Sequence, residues 1–297
     1  MTTTPELITP KDLLAADTSM GAVTLDVADL DVMTAYYRDA IALQVLSSEG
    51  SQVTLGRGTE PVVILRHSPE LKAATPGQAG LFHTAILYDT QEALAATVAT
   101  AAQYPGVRFV GSSDHLVSQA FYFDDPEGNG IELYWDRDRT QWSWTHGQVE
   151  MSTLYLDPNQ FLREHLTEQG LADPTALGGA VVGHVHLSVG DVATAQEFYV
   201  HRLGFETTAS VGNQALFVSA GKYHHHMAMN VWNSRGAGPR QRTLGLGQVD
   251  IVVPTADEVG ALTERMKHFG LQTRDDGRTV SFDDPWANLI NVRSADA

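Results

Sequence analysis

Apolar and polar residues alternate through Gly21-Ala22-Val23-Thr24-Leu25-Asp26-Val27-Ala28-Asp29 and again through Gly183-His184-Val185-His186-Leu187-Ser188-Val189-Gly190-Asp191. A period of two predicts a strand, and the closing aspartate can cap a following helix. An amphipathic stretch follows each, running to an aromatic pair, Tyr36-Tyr37 or Phe198-Tyr199, and then a turn. The offset of 162 residues holds without a gap. A second repeat links Asp125-Pro126-Glu127-Gly128-Asn129-Gly130-Ile131-Glu132 to Asp284-Pro285-Trp286-Ala287-Asn288-Leu289-Ile290-Asn291. Upstream of these, Gly80-Leu81-Phe82-His83 matches Gly245-Leu246-Gly247-Gln248. Repetition on this scale decides the architecture before local propensity does. The pattern predicts an α+β chain of four βαβββ modules at about 20–67, 80–136, 182–233 and 245–293. They group into an N-terminal domain, 20–137, and a C-terminal domain, 182–297. A tail, 1–19, precedes them. A linker, 138–181, separates them, with a helical stretch near Gln160 to Gln169 and a Gly178-Gly179 end.

Within this frame the stretch from Ser113 to Tyr134 reads as a strand, a turn and a second strand. Asp-Pro and Asn-Gly are turn chemistry, which assigns Glu127 and Asn129 to the turn. Glu132 lies between Ile131 and Leu133, and a carboxylate there is costly unless it is paired, solvated or bound to a metal.

Composition narrows the function. The chain has 297 residues and a net charge of −17, which argues against nucleic acid or an anionic membrane as partner. No apolar run approaches the roughly 20 residues of a membrane span. Met1 to Met20 lack the basic start and apolar core of a secretory signal, so a cytoplasmic location is expected. With no cysteine, disulfides, thiolate metal sites and cysteine nucleophiles are excluded. Twelve histidines, several clustered, are the compositional oddity.

The strands "GHVHLSV", helix ends "FYVHRLGF" and hairpin "DPEGNGIELY" together resemble the vicinal-oxygen-chelate superfamily. That group includes type I extradiol dioxygenases, glyoxalase I and antibiotic-resistance proteins. "SDHLVSQAFYFDDPEGNGIELYWDR" and "GKYHHHMAMNVWN" are most similar to bacterial catechol 2,3-dioxygenase-like proteins. The resemblance covers nearly the whole chain apart from tail and linker. It implies paired modules curled into two cup-shaped sheets, with a metal on a concave face.

The resemblance also implies metal ligands on the first and last strands of a module. The first-strand positions are Ala22, His83, His184 and Gln248; the last-strand positions are Glu132 and Asn291. His83, Glu132 and His184 then form the two-histidine, one-carboxylate set of non-haem Fe(II) oxygenases, which Mn(II) also suits. His186 shares a face with His184 and competes with it. All three ligands come from modules two and three, so these two are expected to share the active cup. Modules one and four would form an inert one. The resemblance further implies an acid–base histidine in the run His224-His225-His226, with His226 favoured over His225. It also implies a substrate-binding Tyr122 and a rim residue His115, although two extra residues after His115 leave that role open. Aromatics such as Phe121 or Trp232 would line the cup. The implied reaction is extradiol cleavage of a catechol by O₂, giving a 2-hydroxymuconate semialdehyde-type product. Hydroquinone cleavage, a glyoxalase-like isomerase and a non-catalytic small-molecule binder are the alternatives. A homo-oligomer is left open.

Overall fold

A computed structural model describes residues 13–296 of the chain. The first part of the expected tail, with most of the stretch read for a leader, lies outside the described residues. Two nine-stranded sheets dominate the fold. Module one supplies Val23–Val27, Gln44–Glu49, Gln52–Arg57 and Glu60–His67. Module four supplies Gly245–Val253, Arg274–Asp275, Thr279–Asp283 and Leu289–Ser294. With the short strand Ser19–Met20, which pairs with Gly245–Val253, these form the first sheet, joined where Val23–Val27 runs antiparallel to Gly245–Val253. Modules two and three, with the linker strand Leu154–Tyr155 at one edge, form the second sheet, through the antiparallel pairing of Gly80–Tyr88 with Ala180–Ser188. Each half of the chain therefore contributes one module to each sheet, and modules two and three do share one. Among the described residues no helix is long and apolar enough to cross a membrane.

Local chemistry sets the module boundaries. Asp29 and Asp191 cap the helices Leu30–Asp39 and Val192–Gln196 by accepting from the backbone N–H of Val32 and Thr194. After Gln196 the helix widens into a π turn, Glu197–Arg202, which carries the buried Phe198 and Tyr199. The two hairpin turns are built alike. Asp125 accepts from the backbone N–H of Glu127 and Asn129, the Asn129 amide and the Tyr37 hydroxyl. Asp284 repeats this with Trp286, Asn288 and Tyr199. The repeated aromatic pairs thus tie each helix to the hairpin of the next module. Glu127 does more than turn the chain: it accepts from the backbone N–H of Ala28 and Asp29 in module one.

The first sheet carries an ion cluster rather than a ligand set. Arg66 donates to Asp26 at 2.6 Å, Arg242 at 2.8 Å and Ser68 at 3.1 Å. Burial opposes ionisation of Asp26, but the two guanidiniums outweigh it and bring its carboxyl to about 2, from an ordinary 3.8. A depressed folded-state value stabilises the fold above the unfolded pKa, and that contribution is lost as pH falls from about 4 to about 2. Asp26→Asn is therefore expected to cost about 2 kcal/mol near neutral pH and almost nothing near pH 2. Urea unfolding across that range checks it; an equal cost at both ends would contradict the ionic origin.

Candidate metal centre

Sheet register brings three donors together. Ala85 lies opposite Glu132 on one neighbouring strand and opposite His184 on the other. His83, two residues from Ala85, shares its face. All three side chains are buried. Nε2 of His83 lies 3.0 Å from Glu132 Oε2, and Nε2 of His184 lies 3.1 Å from the same oxygen. Burial would raise the Glu132 carboxyl, but His184 and His83 outweigh it and hold it well below the carboxylate range. Burial brings His184 down to about 4, against the pull of Glu132. Near neutral pH the trio thus offers a charged carboxylate and a neutral His184 imidazole, the protonation states a metal needs.

The donors fit a metal on two further counts. His83 Nε2 is buried and lacks a hydrogen-bond partner in spite of its approach to Glu132. In addition, three cis donors about 2.1 Å from an ion stand about 3.0 Å apart, the separation found here for both histidine–glutamate pairs. Among the described residues this is the one group of histidine, aspartate and glutamate side chains so arranged. His186 lies beside it, but its Nε2 accepts from the Asn230 amide at 3.0 Å and its ring packs against Phe82 and Trp232. That hydrogen bond occupies the nitrogen His186 would need as a ligand.

Tyr122 is the cross-strand partner of Glu132, on the same face. Its hydroxyl donates to His115 Nε2 at 2.7 Å, because His115 Nδ1 is 2.6 Å from the Ser152 carbonyl and must donate there. His115 therefore positions Tyr122. Burial first, and the Glu132 charge second, push the phenol well above its ordinary value, so it stays a donor.

The histidine run departs from the expected assignment. It precedes the strand Met227–Asn230 instead of lying within it. His226 does not line the site cavity: its Nδ1 accepts from the Ala220 N–H, and its ring packs between Tyr223 and Phe205. His225 lines the cavity instead, its ring centre 4.1 Å from that of His184. Behind it lies a chain that the sequence did not reveal. His225 Nδ1 is 2.8 Å from His224 Nδ1, and His224 Nε2 is 2.9 Å from Asp136 Oδ1. Tyr223 donates to the other Asp136 oxygen at 2.7 Å, and Tyr134 donates to Tyr223. Asp136 can only accept, so His224 Nε2 donates to it. Both Nδ1 atoms are taken up in the contact between the two rings, which leaves Nε2 of His225 outside this chain. Burial, with neighbouring imidazoles second, holds His225 well below its ordinary value and so uncharged near pH 7.

Gly183, at a bulge one residue before His184, makes room for this chain. A β-carbon there would stand 1.7 Å from the Tyr134 hydroxyl. Gly183→Ala should therefore cost about 1–3 kcal/mol and displace Tyr134 and His184 together. A lower melting temperature with weakened metal binding is the expected result; unchanged metal binding would show that the bulge is not needed to place His184.

A cavity of about 770 Å³ opens beside the three donors. The linker forms part of its wall through Thr145 and the run from Gln148 to Thr153. The linker is held in place: Ser152 engages His115, and Arg57 binds the carbonyls of Gly178 and Pro174. Trp232 lines the cavity, as do Phe82 and Phe217. Phe121 does not; it is fully buried against Phe161, because alternation turns it away from the face of Tyr122.

Two sheets of repeated βαβββ modules, with a buried two-histidine, one-carboxylate cluster that could hold a metal beside an open cavity, define a protein of the vicinal-oxygen-chelate class. Residues 19–133 and 181–292 match the Glyoxalase/Bleomycin resistance protein/Dioxygenase superfamily, and the chain belongs to it. It is 34% identical to the Catechol-2,3-dioxygenase of Bacillus subtilis (strain 168) over 274 residues, which is 91% of this chain and 94% of that protein. Among solved structures, a putative dioxygenase from Bacillus subtilis aligns with a TM-score of 0.60 at 13% identity, covering 93% of this chain and 85% of that one. Glyoxalase I from Zea mays aligns at 0.58 and 16% identity, covering 94% and 92%. At such identities the two structures speak to the fold alone.

Proposed function

We propose that the protein is an extradiol ring-cleaving dioxygenase that adds O₂ to a catechol at a ferrous centre held by His83, Glu132 and His184. The observation that carries this reading is the convergence of the three donors beside a cavity that also holds a neutral histidine and a protonated phenol. The 34% identity to a protein named Catechol-2,3-dioxygenase supports it. Fe(II), when bound, supplies the electronic link between diol and O₂ that ring opening requires, and Mn(II) suits the same donors.

The side chains do the remaining work. His225 accepts a proton from a substrate hydroxyl at Nε2 and returns it later, the same group serving as base and then acid. Asp136 and His224 hold its ring through Nδ1, which leaves Nε2 to the substrate. Tyr122 turns its hydroxyl from His115 to a substrate oxygen, and burial keeps that proton in place. The apolar wall excludes water from the opened ring.

Protein loaded with Fe(II) under anaerobic conditions and then given catechol and air should consume O₂ and form a yellow ring-fission product. Bound iron with no O₂ uptake from any catechol or hydroquinone would assign the chain to a binding role instead.

A further inference from the structure

Charge around the cavity is one-sided. Three charged side chains line it, Asp124, Glu132 and Glu150, and all are carboxylates. No lysine or arginine lines it among the described residues. Nearby guanidiniums are committed elsewhere: Arg137 to Asp114, Arg108 to the Asp125 carbonyl, and Arg139 over the Trp142 and Tyr223 rings. Four of the five lining imidazoles have hydrogen-bond partners, and the fifth, His83, is turned to Glu132. His83 and His184 face Glu132, His115 bridges Ser152 and Tyr122, His186 accepts from Asn230, and His225 bonds His224.

Away from the metal ligands the wall turns apolar. Phe82 and Trp232 meet edge to face, with ring centres 5.3 Å apart. Val110, Val211 and Trp232 are 64%, 52% and 49% exposed and also line the cavity, which makes an apolar mouth. At about 770 Å³ the cavity falls in the upper part of the range that encloses drug-sized ligands. A bare catechol ring leaves most of it unfilled.

We propose that this cavity selects an uncharged catechol bearing a bulky apolar substituent, aromatic or alkyl, and rejects catechols that carry a carboxylate. An anionic substituent buried along this wall, away from the metal ligands, finds no lysine or arginine and faces Asp124 and Glu150. The net charge of −17 repels the same anion at longer range. An apolar substituent instead covers the wall of Phe82 and Trp232.

The selectivity rests on the ring-cleavage reading, so binding and turnover are measured separately. Isothermal titration under nitrogen into Fe(II)-loaded protein compares 3,4-dihydroxyphenylacetate with its methyl ester, a pair that differs chiefly in charge. Catechol and 3-phenylcatechol test bulk in the same way. The ester should bind at least about 100-fold tighter than the acid, and 3-phenylcatechol at least about tenfold tighter than catechol. Val211→Lys, which puts a cation at the mouth, should narrow the ester-to-acid ratio at least tenfold. Equal or tighter binding of the acid overturns the proposal, as does a ratio that Val211→Lys leaves unmoved. O₂ uptake with the same compounds reports on the activity. If none is consumed yet the ester-to-acid ratio stands, the selectivity holds and ring cleavage fails.

Discussion

Glu132→Gln is expected to lower metal affinity by at least about 100-fold while the fold persists. Outer-shell partners alone are worth about 10–100-fold, and this change removes the one charged ligand. Gln matches Glu in shape, and its amide oxygen can still accept from His184 Nε2, now 3.1 Å from Oε2. What is lost is the negative charge at the point where both imidazoles converge. Iron content after dialysis, read beside a thermal melt, separates loss of metal from loss of structure. Full iron retention would remove Glu132 from the ligand set. Activity should fall with the metal.

His225→Ala is expected to lower kcat by roughly 10²–10⁴-fold with iron content unchanged, the usual worth of a positioned acid–base group. His226→Ala should lower it less than about tenfold, because that ring lies behind the cavity wall, between Tyr223 and Phe205. The reverse ranking would return the acid–base role to His226. Asp136→Asn tests the chain behind His225. Its amide nitrogen can donate to His224, which a carboxylate cannot, so position 136 no longer fixes where the protons sit along the chain. The expected signature is a kcat loss with a shifted pH profile and little change in KM; a purely structural aspartate would not move the profile.

Much of the fold was legible because repetition is a property of sequence. The 162-residue offset and the second hairpin repeat fixed four modules to within a few residues of the observed strands. They also put His83, Glu132 and His184 at equivalent register positions, two on first strands and one on a last strand. Because all three fell in modules two and three, ligand chemistry indicated which modules pair. The capping aspartates Asp29 and Asp191 and the Asp125 turn were legible for a similar reason: their partners lie within a few residues.

Other parts of the site depend on contacts that span the chain. His225 and His226 are neighbours of identical chemistry. Only the Ala220 N–H and the approach of His224 to Asp136, 88 residues away, separate their roles. The linker carried no catalytic signal, yet the Ser152 carbonyl sets the His115 tautomer and hence the Tyr122 hydroxyl direction. Phe121 and Trp232 were interchangeable as aromatics until strand alternation buried the first and left the second at the cavity.

The sequence by itself determined the modules, their caps and their turns, which follow from periodicity and short-range hydrogen bonding, and the family resemblance it carries implied the three candidate ligands. Only the tertiary structure decided which histidine faces the cavity, what holds it there and which charges surround a substrate. Those outcomes depend on distances between side chains far apart along the chain, and neither periodicity nor spacing encodes them.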